Sequence, residues 1–214
     1  MTHPDPYLII GLAGRAGAGK DTVADMLCQA DKFYRYAFAD PLRAEITASF
    51  GIDPELFSRP YKERRTPMLA IGRSCDGEFI RAMTPLGISI TDSRSPREIM
   101  RWWGTEYRRR QCPTYWINFA RAALDEAFRG GYRRVVFTDI RFRNEAEFTQ
   151  LYGGHVWRID RPNAKPQPAD HESEEGVDDI QADVAISNDG TLVALASAVM
   201  RTYTALSNVE VSPS

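Results

Sequence analysis

Long apolar runs are absent: no stretch of the 214 residues approaches the roughly 20 consecutive apolar residues that a membrane-spanning helix needs. No membrane-spanning helix is expected, and the chain reads as soluble with no membrane partner. Cysteine is scarce, with Cys28, Cys75 and Cys112 odd in number and widely spaced, so no disulfide framework is expected. The opening MTHPDPY has neither the basic nor the apolar region of a secretory signal, and a reduced, cytoplasmic setting follows as the expectation. Excess charge of one sign is also missing, since 27 Lys and Arg against 29 Asp and Glu leave a formal net charge of −2. That balance offers no global attraction to nucleic acid, and no nucleic-acid partner is expected. Lysine itself is rare, 4 against 23 Arg. The planar arginine fork binds phosphate in a bidentate way, so the skew suits a phosphate-handling site, although a biased genome composition produces the same skew.

What the sequence does contain is concentrated in residues 8–27, LIIGLAGRAGAGKDTVADML. Gly14, Gly19 and Lys20 fulfil the G-x-x-x-x-G-K of a phosphate-binding loop, but Asp21 stands where that pattern has Ser or Thr, and Thr22 follows one place late. Gly14, Gly17 and Gly19 let the backbone wrap a phosphate with its N–H groups inward. The helix that follows adds its positive end, and Lys20 neutralises charge on the outer phosphates. A buried strand before and a helix after separate a nucleotide phosphate site from a mere glycine-rich turn. A hydroxyl at position 21 would coordinate Mg²⁺. The carboxylate of Asp21 either takes that place, directly or through water, or serves the start of the helix.

Along the chain, residues 7–13 read as a strand buried on both faces, and Val23, Met26 and Leu27 fall at helical spacing behind the loop. Residues 33–39 are aromatic and alternating, a second strand, and Asp40-Pro41 supplies an N-cap and a first-turn proline for a helix that Gly51 ends. Residues 52–95 have no sustained period and hold Pro54, Pro60, Pro67 and Pro85, which marks a functional insertion with a short hairpin or helices. Ser95-Pro96-Arg97-Glu98 caps a helix reaching about Arg110, and another opens at Pro113 or Thr114 and closes at Gly130-Gly131. Strands are expected at 133–140, 155–159 and 182–187, and helices at 145–152 and 191–206. Residues 161–179 are rich in proline and acid and read as a lid. No internal repeat interrupts the alternation, which predicts an α/β fold with a five-stranded parallel sheet.

Thr138-Asp139-Ile140-Arg141 ends the third strand, and open parallel sheets bind ligands outside the carboxyl ends of their strands. Asp139 is placed to be a metal-shell or water-orienting carboxylate and Arg141 to clamp a phosphate; alternatively Asp139 caps the next helix. The motifs GRAGAGKDT, FADPLR, RWWGTEYRRR ahead of YW, DIRFRNEAEF, HESEE and NDGTL now stand together in order. Their combination resembles the deoxynucleoside monophosphate kinases of tailed phages, a branch of the P-loop nucleoside monophosphate kinase superfamily. The GKDT variant is similar to that branch.

The resemblance implies a P-loop kinase fold with helices on both faces of the sheet. It implies a core of residues 1–51 and 112–214, a nucleoside monophosphate-binding insertion at 52–111 and a lid at 161–179. ATP and Mg²⁺ are the implied cofactors and a deoxynucleoside monophosphate the implied substrate, with a homodimer and, for a phage-encoded chain, the host cytoplasm. Gly14, Arg15, Ala16, Gly17, Ala18, Gly19, Lys20, Asp21 and Thr22 would hold the ATP phosphates, with Asp21, Thr22 and Asp139 toward the metal. Lys20, Asp139 and Arg141 would face the transferring group, Asn188, Asp189 and Gly190 would lie beside adenine, and Arg161 of the lid would reach the phosphates.

For the acceptor, the candidates are Asp40, Arg43, Arg64, Arg65, Trp103, Glu106 and Arg108. Trp102, Trp103 and Trp116 serve equally well as core aromatics, and Arg108 to Arg110 as a solvated face. In the lid, Lys165 could also reach the phosphates, while His171, Glu172, Glu174 and Glu175 match no zinc spacing, so no zinc is assigned. Two other functions fit the same loop: a kinase of a non-nucleotide acceptor, of the phosphomevalonate or dephospho-coenzyme A type, and an ATP-binding protein without phosphoryl transfer.

Overall fold

The six apolar residues Leu8–Ala13 form strand β1, every one of them buried, at the centre of a five-stranded sheet. The computed structural model describes residues 7–162, 177 and 179–209. With β2 (Phe33–Tyr36), β3 (Arg134–Ile140), β4 (His155–Asp160) and β5 (Val184–Ser187), the order is β2-β3-β1-β4-β5 and all pairs are parallel. Successive side chains point to opposite faces of a strand, so a run with no polar member needs cover on both. On one face Leu8, Ile10 and Leu12 pack with Val23 and Leu27 of helix α1 (Lys20–Ala30) and, from the C-terminal helix (Leu192–Val209), with Leu195 and Val199. On the other, a Cβ added at Gly11 would stand 3.2 Å from Thr149, in the helix Arg143–Leu151.

Two compact units make up the chain: the sheet with its helices, and Ala39–Phe119. The expected insertion at 52–111 lies inside the second unit, which also takes helix α2 (Ala39–Phe50). Gly51, at φ 61°, ends α2 as expected. Short 3₁₀ turns follow at Pro54–Phe57 and Pro67–Leu69, each begun by a proline behind a capping Asp53 or Thr66. After them come α3 (Gly77–Met83), capped by Asp76, and α4 (Pro96–Arg101). A backbone bridge pairs Thr66 with Arg94. The unit packs around Phe79, Met83 and Trp103, all at most 1% exposed. Helix α5 (Tyr115–Arg129) leads back to the sheet, α6 is Arg143–Leu151 and α7 is Leu192–Val209.

Three local expectations change. Strand β2 stops at Tyr36 instead of residue 39, because the Phe38 N–H leaves the ladder for the carboxylate of Asp139 at 2.7 Å. Helix α2 starts at Ala39, so Asp40 lies in its first turn and is not its N-cap. The helix expected to reach Arg110 is α-helical only through Arg101 and continues as a π-helix over Trp102–Arg109. The capping box expected at Ser95 and Glu98 is present in full.

The lid residues 163–176 and 178 lie outside the described residues, and with them the expectations for Lys165, His171, Glu172, Glu174 and Glu175. The three cysteines form no disulfide. Among the described residues no helix is long and apolar enough to cross a membrane.

Candidate active site

The loop between β1 and α1 is shaped by close approach. Gly14 has φ 142°, and a Cβ there would meet the Ile159 carbonyl oxygen of β4 at 2.5 Å; Gly19 has φ 104°, and a Cβ there would meet Asn188 Nδ2 at 2.5 Å. Both positions exclude a side chain on two grounds, left-handed backbone and occupied space. Gly19 is the N-cap of α1 and supplies no side-chain cap, so the first-turn N–H groups lie at the positive end of the helix with no cap from that residue. That is the physical requirement for an anion site.

The lysine lies over its own loop, Nζ donating to the carbonyls of Gly14 at 2.6 Å and Arg15 at 3.1 Å. From the turn after β5, Asn188 Nδ2 donates to the Ala18 carbonyl at 2.8 Å while its backbone N–H bonds Asp160 at 2.7 Å. Asn188 thus ties the end of β4 to the phosphate loop. Asp189 and Gly190 beside it are exposed, as are Arg15, Gly17 and Arg161.

Parallel pairing of Ala13 with Ile140 sets the end of β3 beside the start of this loop. Asp139, half-buried, accepts from the Phe38 N–H; Arg141, half-buried, is held through its backbone N–H by Glu145 Oε2 at 2.8 Å. Glu145, 2% exposed, also accepts from the Phe142 N–H at 3.2 Å and so caps α6 from inside it. Its role was not visible in the sequence because the capping position is Phe142, which has no hydroxyl to signal a box.

Asp21 meets Arg35 of β2, whose Nη2 lies 3.0 Å from Oδ1, and the same guanidinium pairs with Asp25. Exposed pairs of this kind contribute about 0–1 kcal/mol, so Arg35 does not withhold the carboxylate from a stronger partner. Among the described residues no group of three or more His, Cys, Asp or Glu is placed to hold a metal ion by itself.

The acceptor candidates all belong to the second unit. Asp40 pairs with Arg43 at 2.9 Å, Arg65 with Glu98 at 2.6 Å and Glu106 with Arg110 at 2.8 Å, while Arg64 is exposed. Trp103 is 1% exposed, Trp102 7% and Trp116 3%, which makes all three core aromatics. Trp103 and Arg108 converge on a residue the sequence reading passed over, Glu45 of α2. Its Oε2 accepts from Trp103 Nε1 at 2.7 Å and Arg108 Nε at 2.8 Å, and its Oε1 from the Tyr115 hydroxyl. The Tyr107 hydroxyl donates to Asp76 at 3.0 Å and accepts from Arg108 Nη1 at 3.1 Å. Burial, reinforced by hydrogen bonds to Asp76 and Glu45, pushes the Tyr107 and Tyr115 hydroxyls up to about 12.

Comparison with known proteins gives the same picture. A family profile described as Deoxynucleotide monophosphate kinase matches residues 70–199. A protein of Acanthamoeba polyphaga mimivirus, provisionally named deoxynucleotide monophosphate kinase, is 27% identical, with 86% of this chain and 90% of that protein covered. The deoxynucleotide monophosphate kinase of Enterobacteria phage T4 is 24% identical, with 92% of this chain and 99% of that protein covered. Among solved structures, TT1252 from Thermus thermophilus is similar in fold, with a TM-score of 0.52 and 17% identity, over 97% of this chain and 100% of that one. An anion loop at the carboxyl end of a parallel sheet ordered β2-β3-β1-β4-β5, and a profile match over more than half of the sequence, have one reading: the chain is a P-loop kinase and belongs to the deoxynucleotide monophosphate kinase family.

Proposed function

We propose that the protein transfers the γ-phosphoryl group of ATP to the phosphate of a deoxynucleoside 5′-monophosphate, releasing ADP and a deoxynucleoside diphosphate. The observation that carries this reading is the glycine-capped start of α1 behind a loop, shaped by Gly14 and Gly19 at positive φ, whose lysine is already folded over it. The names of the viral relatives support the acceptor class. On binding, Lys20 exchanges the Gly14 and Arg15 carbonyls for phosphate oxygens, a stronger, charge-assisted pairing. Arg141, its backbone fixed by Glu145, offsets charge on the transferring group. The acceptor oxygen belongs to a phosphate monoester with a second pKa of about 6, so it is largely dianionic at neutral pH and needs no general base. Alignment and charge stabilisation then supply the catalysis.

The donor set suits Mg²⁺, a hard cation that keeps several waters and takes one or two carboxylates together with substrate phosphates. Asp21, Thr22 and Asp139 are the residues that would hold it, and it would neutralise negative charge on the phosphates. Asn188, Asp189 and Gly190 would lie beside adenine, and Arg161 with the segment 161–179 would close over the phosphates. The cytoplasm, the host's for a phage-encoded chain, is the proposed setting and a homodimer the proposed state.

The test is ADP release with ATP and Mg²⁺ against the four deoxynucleotides, their ribose counterparts and non-nucleotide phosphates. Turnover confined to non-nucleotide acceptors, or none at all, overturns the reading. Lys20→Ala is expected to lower turnover by about 10²–10³-fold, the usual effect of removing a transition-state charge partner. It should leave the melting temperature close to that of the wild type; near-normal turnover would refute the assigned loop.

A further inference from the structure

Glu45 occupies an unusual position for a carboxylate. Four-fifths of its side chain is buried, and its three donors come from the π-helix and the start of α5, 58 to 70 residues away in sequence. Removing a carboxylate and a guanidinium from water costs several kcal/mol per ion, and their attraction only about offsets this, so packing alone is served as well by apolar side chains. The cluster is nevertheless built up further. The Arg108 guanidinium lies over the rings of Tyr107 at 4.4 Å, Tyr115 at 5.0 Å and Trp103 at 5.7 Å, and approaches Asp76 at 3.7 Å. Three of these residues, Trp103, Tyr107 and Arg108, sit on the eight-residue π-helix, a conformation that is rare and concentrates at functional sites.

The chemistry of the cluster narrows what it can bind. An ionised carboxylate has about four acceptor positions. Glu45 uses two on Oε2 and one on Oε1, which leaves one on Oε1, and 19% of the side chain is exposed. Two carboxylates, Glu45 and Asp76, face one guanidinium, Arg108, so acidic side chains outnumber the basic one in the cluster. Such a site repels a phosphate and accepts from a neutral O–H or N–H. We infer that Glu45 is a specificity-determining residue of the acceptor site, accepting a hydrogen bond from a sugar hydroxyl or base N–H of the acceptor nucleoside, while Trp103, Arg108 and Tyr115 hold its carboxylate in place.

This inference rests on the proposed nucleotide acceptor, and the experiment separates the two. Wild type and Glu45→Gln are compared for KM over deoxynucleoside monophosphates that differ in base, and over the matching ribo- and 3′-deoxy forms. Glu45→Gln keeps shape but loses charge and one acceptor oxygen. It is expected to raise KM about tenfold for acceptors carrying the recognised donor, the effect of losing a hydrogen bond to a charged group. KM for ATP, and KM for the analogue that lacks the donor, are expected to stay unchanged. A dependence on base then points to an N–H, and a dependence on the 3′ position to the sugar. A uniform shift across the series, or none, overturns the assignment, because a merely structural role cannot distinguish acceptors. Wild-type inactivity with every nucleotide overturns the proposed function along with it. Tyr115→Phe, which leaves the carboxylate and its other two donors in place, is the second variant. It is expected to weaken discrimination in the same direction, and an unchanged KM ratio in a folded Tyr115→Phe protein also counts against the assignment.

Discussion

Gly19 and Asn188 form a tight junction at the phosphate loop. The asparagine amide occupies the space a Cβ would need and simultaneously holds the Ala18 carbonyl. Gly19→Ala therefore meets two obstacles: a 2.5 Å approach to Nδ2 and a φ of 104° that an L side chain rarely adopts, a strain of about 1–3 kcal/mol. Calorimetric titration with ATP is expected to show at least tenfold weaker binding, from about 1.4 kcal/mol or more of that strain. Adding Asn188→Ala to Gly19→Ala removes the clash but neither the strain nor the loss of the Ala18 bond, so recovery should be partial at most. Full recovery would mean that φ at this position is irrelevant. The glycine spacing and Lys20 were legible because a phosphate loop is a local pattern, written within seven residues. Asp139, Glu45 and Arg35 were less legible because their partners are distant: Phe38 lies 101 residues from Asp139, and Trp103 58 from Glu45. A carboxylate in isolation does not announce which donor will reach it.

At the scale of the element, α4 and its π-helical continuation show both sides of the same rule. The start of α4 is local chemistry: Ser95 Oγ accepts from the Glu98 N–H at 3.2 Å, Glu98 Oε2 accepts from the Ser95 N–H at 2.8 Å, and Pro96 takes the first helical position. Ser95→Ala should cost about 1 kcal/mol, seen as a lower urea midpoint, and Ser95→Thr should retain most of it. Equal midpoints for Ser95→Ala and wild type would remove the box from the stability of this unit. The π-helix was not legible, and its contacts are again remote: Trp116 Nε1 bonds the Gly104 carbonyl at 3.2 Å, and Gly104 passes close to Leu42. The strands β1 and β3 could be read because each holds a short apolar run suited to a covered parallel sheet, and β4 because its residues alternate. Residues 52–95 could not, since their structure is mostly turns of three or four residues, too short to show a period.

For the molecule as a whole, folding stability is tied to pH at both ends of the scale, through different units. In the sheet unit, Tyr203 donates to Asp31 at 2.7 Å, and Arg134 Nε reaches the Tyr203 oxygen and Asp31 Oδ2, each at 2.9 Å. The Tyr203 hydrogen bond first, then the Lys32 N–H and the Arg134 charge, hold the Asp31 carboxyl below its ordinary value against the opposing effect of burial. A carboxyl that ionises more readily folded than unfolded contributes stability in full above about pH 4, and that contribution is lost as pH falls through the folded value. In the second unit the sign is reversed. Tyr107 and Tyr115, pushed up to about 12 chiefly by burial, keep their protons where the unfolded chain loses them, so their contribution is whole below pH 10 and declines from there toward pH 12. Urea midpoints followed from acid to alkali should show Asp31→Asn less stable than wild type at neutral pH, with the gap closing below about pH 4. For Tyr115→Phe the gap should instead close above about pH 10, as phenolate absorbance rises in the wild type. Curves that stay parallel to wild type across the acid limb for Asp31→Asn, or across the alkaline limb for Tyr115→Phe, would show that the corresponding group titrates alike in the folded and unfolded chain.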